Sequence, residues 1–217
     1  MNAENNMITV HGRATSSNVQ IVMWAVGELG LAHKRLDVGG SFGGTNTPKY
    51  LAMNPNGLVP TIQDGNVTMF ESAAILRYLG AKYGNELFWP KDAGRRAVLD
   101  QWAEWGRTTL TPPMGQIFGQ LIRTREAERN AAAVANLETQ LKRLAGIADR
   151  RIGEGPYLAG EDFTFADIPF GHLLYRYFTM HFGKTETPHL AAYYERLTKR
   201  PAFAEHVMVS YEPLRVV

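Results

Sequence analysis

The chain has 217 residues, of which 45% are hydrophobic and 20% charged, and its formal net charge at pH 7 is +2. This composition is typical of a globular protein with one large or two small domains, and the nearly balanced charge favours neither nucleic acid nor an anionic membrane as partner. No apolar run reaches the roughly 18 residues of a membrane span, and the polar N-terminus lacks the features of a secretory signal. We therefore expect a cytoplasmic protein.

The sequence contains no cysteine. This absence excludes disulfides, thiolate metal sites and a cysteine nucleophile. The six histidines form no pair at ligand spacing, so a protein metal site is not expected. Phosphate-binding GxxxxGK[ST] loops and the GxSxG motif of hydrolases do not occur either. A reactive sulfur, if the protein uses one, has to come from a ligand.

The first part of the chain alternates strand and helix patterns. Ser16 or Ser17 can cap a helix that Gly30 ends in a left-handed conformation, and the Asp-Gly pair at 64–65 predicts a hairpin turn. The order βαβ followed by ββα predicts a four-stranded mixed sheet with helices packed on it. The predicted elements are a strand at 7–11, a helix from 16 or 17 to 30, a strand at 32–38, a helical turn at 48–53, strands at 59–63 and 67–70, and a helix at 72–84.

After a linker at 85–92 the strand patterns disappear, and residues 93–217 predict an all-helical domain. The Pro-Pro pair at 112–113 predicts a kink or break in its first helix. Thr164 and Asp167 form a capping box at the start of a later helix. The remaining predicted helices cover residues 126–151, 188–199 and 201–211.

Four short motifs follow one another along the chain. They are SSNVQ at 16–20, NPNGLVP at 54–60, ESxAIxxYL at 71–79 and TFAD at 164–167. Each motif is moderately specific alone, but their order and spacing together are not a chance arrangement. By these motifs the chain resembles the cytosolic glutathione S-transferase family over nearly its whole length, and it is similar to its serine-type, bacterial-looking, theta-like members.

The resemblance implies an α/β, thioredoxin-like N-terminal domain at 1–84 that binds glutathione. It also implies an all-α C-terminal domain at 93–217 that shapes the pocket of the second substrate. Glutathione is then a co-substrate, no metal is needed, and the thiolate attacks a small apolar electrophile, as in detoxification. The family further implies a homodimer, whose interface would involve the third and fourth helices near Arg77 or Arg95.

Members of the family activate the thiol with a tyrosine, serine or cysteine after the first strand. Here the first tyrosine is Tyr50 and cysteine is absent, so the resemblance assigns this catalytic role to Ser16, with Ser17 as the alternative. The thiol of glutathione, with a pKa of about 8.5, needs a group that favours its thiolate. A hydroxyl donor at a helix N-terminus does so. The structural alternative is that both serines only cap the helix.

The resemblance assigns the grip on glutathione to four further residues. Pro60 is cis in the family, and the backbone of Val59 before it is expected to pair with the cysteinyl unit, as in strand addition. Glu71 suits the α-ammonium of the γ-glutamyl unit, and Ser72 with its helix N-terminus suits the carboxylate. An ordinary strand-entry proline and a capping pair are the structural alternatives.

The glycyl carboxylate of glutathione has no obvious partner in the sequence. Many family members have a lysine or histidine just before the cis-proline segment, where this chain has Gly57 and Leu58. The glycine-rich loop at 39–44, the neighbourhood of Phe42, or Lys49 could hold the carboxylate instead.

A second-substrate pocket is expected on the helical domain. The residues assigned to this pocket are Arg107, Thr111, Met114, Phe118 and Tyr175. For Met114, Phe118 and Tyr175 the alternative is a place in the hydrophobic core.

Two other functions fit the same motifs. One is a glutathione-dependent redox, isomerase or ether-cleaving reaction, in which the bound thiol does the chemistry. The other is a non-catalytic glutathione-fold binding module, against which the complete set of Ser16, Val59-Pro60 and Glu71-Ser72 argues. The fold alone does not decide between them.

Overall fold

A computed structural model describes residues 7–217 of the chain. The polar residues 1–6, on which the expected absence of a secretory signal rests, lie outside this range. The described residues form two compact units. The first unit contains the residues up to Trp89 together with Pro201–Val209, and the second contains Pro90–Arg200 and Ser210–Val217.

The secondary structure follows the predicted order. The strands are β1 (Ile8–His11), β2 (His33–Leu36), β3 (Thr61–Asp64) and β4 (Val67–Phe70). The helices are α1 (Ser17–Glu28), α2 (Pro48–Met53), α3 (Ser72–Tyr83), α4 (Ala93–Trp105), α5 (Thr111–Ile122), α6 (Ala131–Ile152), α7 (Asp167–Gly171), α8 (Leu174–Thr179), α9 (Pro188–Thr198) and α10 (Pro201–His206). The α/β first unit and the helices after it confirm the predicted fold class.

The four strands form one mixed sheet in the order β2-β1-β3-β4. β1 is parallel to β2 and antiparallel to β3, which is antiparallel to β4. Alternation along β1 explains which face is buried, since Ile8 and Val10 are 1% and 0% exposed while Thr9 and His11 are half-buried. The four-stranded mixed sheet predicted from the sequence is therefore confirmed.

Helix α10 belongs to the first unit because it packs against α1. The rings of Trp24 and Phe203 meet edge to face with centroids 4.9 Å apart, and both side chains are fully buried. A Cβ on Gly27 would lie 2.8 Å from the Cβ of Ala202, so a glycine allows the two helices to approach closely. The sequence predicts residues 201–217 as part of the helical domain, and this tertiary contact groups Pro201–Val209 with the first unit instead.

The first long helix of the second unit breaks before its prolines. A single π-helical turn, Gly106–Leu110, separates α4 from α5. The predicted kink or break at Pro112-Pro113 agrees with this irregular turn, because each proline lacks the N–H that the carbonyl four residues earlier would accept, and both of those carbonyls lie within Gly106–Leu110. At Gly106 the chain passes close to another helix, since a Cβ there would lie 2.9 Å from the Cα of Phe170.

The next helix begins later than its sequence pattern predicts. Residues Glu126–Glu128 form a separate 3-10 turn, and α6 starts only at Ala131. Asn130 caps α6, its side chain accepting a hydrogen bond from the N–H of Ala133 at 3.0 Å. A capping residue inside the predicted helix thus marks its true start.

Half of the predicted capping box at 164–167 forms, because Asp167 reaches back to Thr164, while the Thr164 hydroxyl accepts from the N–H of Ala166 at 3.3 Å. The carboxylate of Asp167 accepts hydrogen bonds from the N–H of Thr164 at 2.8 Å, the N–H of Leu158 at 3.0 Å and the hydroxyl of Tyr193 at 2.9 Å. Asp167 is completely buried, and this burial raises the pKa of its carboxyl to about 6. Two donors from the preceding loop and one from α9, 26 residues away, therefore converge on one carboxylate.

Candidate functional site

Ser16 occupies the N-cap position of α1. Its backbone is extended (φ −80°, ψ 123°), and its carbonyl accepts a hydrogen bond from the N–H of Gln20 at 2.9 Å. The side chain makes no capping hydrogen bond to α1. Ser17 is the first helical residue. The Ser16 hydroxyl therefore does not accept the hydrogen bond from a helix N–H that the capping alternative requires.

The loop between β1 and α1, which carries Ser16, is held from two sides. The guanidinium of Arg35 on β2 donates to the carbonyl of Gly12 at 2.9 Å. The buried side chain of Gln20 on α1 donates to the carbonyl of Ala14 at 3.2 Å. Our sequence reasoning missed both supports, because the pairing of Arg35 with this loop depends on the parallel alignment of β1 and β2.

A cleft of about 50 Å³ lies in the first unit, between α1, the loop before β3 and the start of α3. It brings together Val59, Pro60, Glu71 and Ser72, four of the residues assigned from the sequence. Neither Phe42 nor Lys49 lines it. The lining residues are Asn18, Asn54, Asn56, Leu58, Val59, Pro60, Glu71 and Ser72.

The peptide bond between Val59 and Pro60 is cis, as the resemblance implies. Among the described residues, the N–H and C=O of Val59 have no backbone hydrogen-bond partner. The preceding carbonyl, that of Leu58, is held firmly: it accepts from the hydroxyl of Tyr50 at 2.7 Å and from the side-chain amide of Asn54 at 2.8 Å. The backbone of Val59 is therefore fixed in place while its own polar groups remain available.

Asn54 is a structural support of the cleft that our sequence reasoning did not assign. It is 2% exposed, and its side-chain oxygen accepts from the N–H of Asn56 at 3.1 Å. Its amide also bonds Leu58, so a single side chain connects both ends of the turn. The signal was present in the Asn-Pro-Asn-Gly motif, where asparagine and a left-handed Gly57 (φ 62°) are typical of a tight turn.

Glu71 and Ser72 form the start of α3. Glu71 has φ 70° and ψ 109°, and it is the one non-glycine residue with positive φ in the described chain. Its side chain is exposed and makes no capping bond. Ser72 is 6% exposed, with its hydroxyl 3.5 Å from the side-chain oxygen of Asn18. A strained backbone at a ligand cleft is the pattern of a functional position.

The glycine-rich loop lies beside Arg13, a residue without a predicted role. A 3-10 turn, Gly40–Phe42, forms its centre and leaves Phe42 59% exposed. A Cβ on Gly40 (φ 60°) would lie 3.0 Å from the Nε of Arg13, so the guanidinium lies directly on the loop backbone. Lys49 is exposed in the first turn of α2. The structure does not bring Phe42 and Lys49 to the cleft.

The residues assigned to the second-substrate pocket have different surroundings in the second unit. Met114 and Phe118 are 2% and 3% exposed, and Phe118 contacts the ring of Tyr211 at 5.7 Å, which favours the core alternative for both. Tyr175 is half-buried, and Arg107 is exposed and pairs with Glu104. The hydroxyl of Thr111 donates to the carbonyl of Gly106 in the preceding π-helical turn at 2.9 Å.

Within residues 7–217, no three histidine, aspartate or glutamate side chains lie close enough together to hold a metal ion. Nor is any helix of that range both long and apolar enough to cross a membrane.

Comparison with known proteins gives two matching family models. Residues 10–87 match the glutathione S-transferase N-terminal domain, and residues 103–201 match the C-terminal domain. Glutathione S-transferase GstB of Escherichia coli K12 is 35% identical over 205 residues, which cover 94% of this chain and 99% of that protein. Glutathione S-transferase 4 of Zea mays is 31% identical over 199 residues, which cover 90% of this chain and 89% of that protein.

Among solved structures, a theta-class glutathione S-transferase from Xanthomonas axonopodis pv. citri with glutathione bound is similar to this chain. Its TM-score is 0.89 at 43% sequence identity, and the match covers 94% of this chain and 99% of the other. The same protein without glutathione has a TM-score of 0.82.

Proposed function

The chain belongs to the glutathione S-transferase family, and we propose that it uses Ser16 to activate the thiolate of glutathione for attack on a small apolar electrophile. It is an enzyme of this family, with glutathione as its co-substrate. The observation that carries the proposed mechanism is the position of Ser16, a serine at the start of a 12-residue helix whose hydroxyl does not cap that helix.

Ser16 would act on the ionisation of the thiol. At pH 7 only a few per cent of free glutathione is thiolate, because its thiol pKa is about 8.5. A hydroxyl that donates to the sulfur and the partial positive charge of a helix N-terminus both favour the charged form. Lowering the pKa by about two units requires about 2.7 kcal/mol, which these two interactions together can supply. The thiolate then forms the new carbon–sulfur bond, and the leaving group departs with its electron pair.

The cleft around Val59 would hold the tripeptide. Its available N–H and C=O suit the cysteinyl unit in the manner of an added strand. The exposed carboxylate of Glu71 suits the α-ammonium of the γ-glutamyl unit. Ser72 and the first N–H groups of α3 suit its carboxylate. Each polar group of the γ-glutamyl and cysteinyl units would thus meet a protein group of opposite polarity.

The glycyl carboxylate would lie towards the glycine-rich loop. Lys49, Phe42 and the loop backbone are the assigned contacts. Phe42 and Lys49 are exposed and stand outside the cleft. Both side chains would therefore have to move towards a bound glutathione to contact its glycyl carboxylate. Arg107, Thr111 and Tyr175 remain the proposed contacts of the electrophile, whereas Met114 and Phe118 are buried in α5.

We further propose that the enzyme is a cytoplasmic homodimer that acts in detoxification. The expected interface involves α3 and α4, near Arg77 or Arg95. Equilibrium sedimentation at micromolar concentration tests this proposal, and a particle with the mass of one chain contradicts it. The division of roles between domains at 1–84 and 93–217 stays part of the same proposal.

The mechanism is tested by the ultraviolet absorbance of the thiolate in the glutathione complex as a function of pH. In the wild type the bound thiol should titrate well below its free pKa. Ser16→Ala should raise that pKa and lower kcat while leaving glutathione affinity nearly unchanged, because the hydroxyl interacts preferentially with the charged sulfur.

Ser17→Ala is the matched control. If only this variant raises the thiol pKa, the catalytic role belongs to Ser17. An unshifted thiol pKa in the wild type contradicts thiolate activation and favours the non-catalytic binding module. Activity with disulfides or peroxides but with no electrophile would instead favour glutathione-dependent redox chemistry.

A further inference from the structure

A cleft of about 230 Å³ lies within the second unit, between the end of α5, the end of α8 and the C-terminal 3-10 turn Glu212–Leu214. Two arginines line it, Arg129 and Arg215, together with the polar side chains of Thr179 and His181. None of these residues has a part in the proposed glutathione chemistry. The two arginines differ in whether a carboxylate compensates their charge.

Arg215 has a carboxylate partner. Its Nε donates to Glu212 at 2.6 Å and its Nη2 at 2.8 Å, so the two side chains form a bidentate ion pair. Its Nη1 lies 3.4 Å from the carbonyl of Leu121. The charge of Arg215 is therefore compensated within the protein.

Arg129 has no such partner. Its Nη2 donates to the carbonyl of Leu121 at 3.0 Å, at the C-terminal end of α5. Among the described residues no carboxylate lies within ion-pair distance of its guanidinium, and its buried Nε has no acceptor. A half-buried guanidinium whose charge is matched by a single carbonyl is costly unless an anion compensates it.

The backbone on both sides holds Arg129 in place. The 3-10 turn Glu126–Glu128 precedes it, and the N–H of Asn130 donates to the side chain of Gln120 at 2.9 Å. Asn130 also caps α6. The guanidinium is thus presented by a fixed turn, which lowers the entropy lost when a ligand binds.

We propose that this cleft binds a small oxyanion, the phosphate, sulfate or carboxylate group of a small molecule, with Arg129 as its principal ligand. With two guanidinium groups and one carboxylate, the cleft carries a net positive charge. A planar guanidinium matches the oxygen pairs of these three groups. Thr179 and His181 also line the cleft, but the Thr179 hydroxyl already donates to the carbonyl of Tyr175 at 2.6 Å, which leaves Arg129 as the principal donor. The cleft is larger than a bare ion and has buried Ile122 and Met180 in its lining, so it also accommodates a short apolar substituent.

Calorimetric titration of the full chain with inorganic phosphate, sulfate and acetate tests this proposal, with sodium chloride at matched ionic strength as the reference. At least one oxyanion should bind saturably with one site per chain. Arg129→Gln should weaken that binding about tenfold or more, the effect of losing a charge-assisted hydrogen bond. The preference among the three anions then identifies the group that the cleft selects.

Arg125→Gln is the matched control. Arg125 is an exposed arginine next to the same turn, and its guanidinium forms an ion pair with Glu128. This variant should leave oxyanion affinity unchanged. Arg129→Lys keeps the charge without the planar fork, so it should bind with intermediate affinity, and it serves as the test if Arg129→Gln does not fold. Absence of saturable binding to all three anions in the wild type overturns the proposal, and so does equal affinity in every folded Arg129 variant.

Discussion

The helix starts beside the cleft around Val59 differ from the starts of α4 and α6. Asp92 at α4 and Asn130 at α6 each accept a hydrogen bond from the backbone N–H three residues on, at 2.7 and 3.0 Å. Ser16 at α1 and Glu71 at α3 make no side-chain capping bond. All four are polar residues at the same helix position, so the local sequence does not explain the difference.

A missing capping bond does not by itself mark a functional residue. Thr187 at α9 also makes no capping bond, and it lines neither of the two clefts described above. Glu71 combines three observations: no capping bond, a strained φ of 70° and a place in the cleft. A satisfied cap stabilises its helix, whereas the N–H groups of an unsatisfied one remain available to an anion.

The largest loss of stability is expected at Asp167, which begins α7 and accepts several buried hydrogen bonds. Asp167→Ala should lower the free energy of unfolding by about 3 kcal/mol or more, because it leaves buried donors of Thr164, Leu158 and Tyr193 without an acceptor. Urea unfolding measures this loss. A cost below about 1 kcal/mol, the value expected for an exposed cap such as Asp92, would show that water replaces the carboxylate.

The pH dependence of stability separates Asp167 from His172. Burial lowers the pKa of His172 to about 3, so the unfolded chain, with a histidine pKa of about 6.5, binds a proton that the folded chain does not. The stability that this histidine contributes is complete above pH 6.5 and is lost as the pH falls. Asp167, with its pKa raised to about 6, acts in the opposite direction between about pH 4 and 6.

The two contributions should nearly cancel between pH 4 and 6 in the wild type. In Asp167→Asn the opposing contribution of Asp167 is absent, so between pH 6 and 4 the free energy of unfolding should fall with pH by about 1.4 kcal/mol per pH unit more steeply than in the wild type. Urea titrations at several pH values measure this slope, and the double variant with His172→Leu should remove it. Equal slopes in the wild type and Asp167→Asn would contradict the opposing roles.

Two substitutions at Glu71 separate strain from binding. Glu71→Gly should stabilise the protein by about 1 kcal/mol, because glycine adopts φ 70° without strain, whereas Glu71→Ala keeps the strain. Both should weaken glutathione binding by about 1.5–3 kcal/mol, since both remove the carboxylate. Thermal unfolding and calorimetry measure the two effects. Unchanged glutathione affinity in both variants would remove Glu71 from the site.

The smallest effect is expected at Ser16. Ser16→Ala should change the free energy of unfolding by less than about 0.5 kcal/mol, because no capping bond is lost. Asp92→Ala, which breaks a real cap, should cost about 1 kcal/mol. Urea unfolding of the two variants makes the comparison directly. A larger loss at Ser16 than at Asp92 would return Ser16 to the role of a helix cap.

Much of the fold could be predicted because it depends on residues close together in the sequence. The buried alternation of β1, the left-handed Gly30 and the capping box of Thr164 and Asp167 are each set within a few positions. The π-helical turn before α5 follows the same local rule, because Pro112 and Pro113 supply no N–H groups to the carbonyls of that turn. The close approach of Gly106 to Phe170 is not local, because Phe170 is remote in the sequence.

Local patterns were enough to predict the four-stranded sheet, the helical second part, the family and the cleft residues Val59, Pro60, Glu71 and Ser72. Periodicity, caps and motifs each depend on a few neighbouring positions, so they can be recognised without knowing how the chain folds. The fold was needed to see that Asn54 and Tyr50 hold the Leu58 carbonyl, that α10 packs on α1, and that no carboxylate pairs with Arg129 among the described residues. These features arise from distances between residues far apart in the chain, which a linear pattern does not specify.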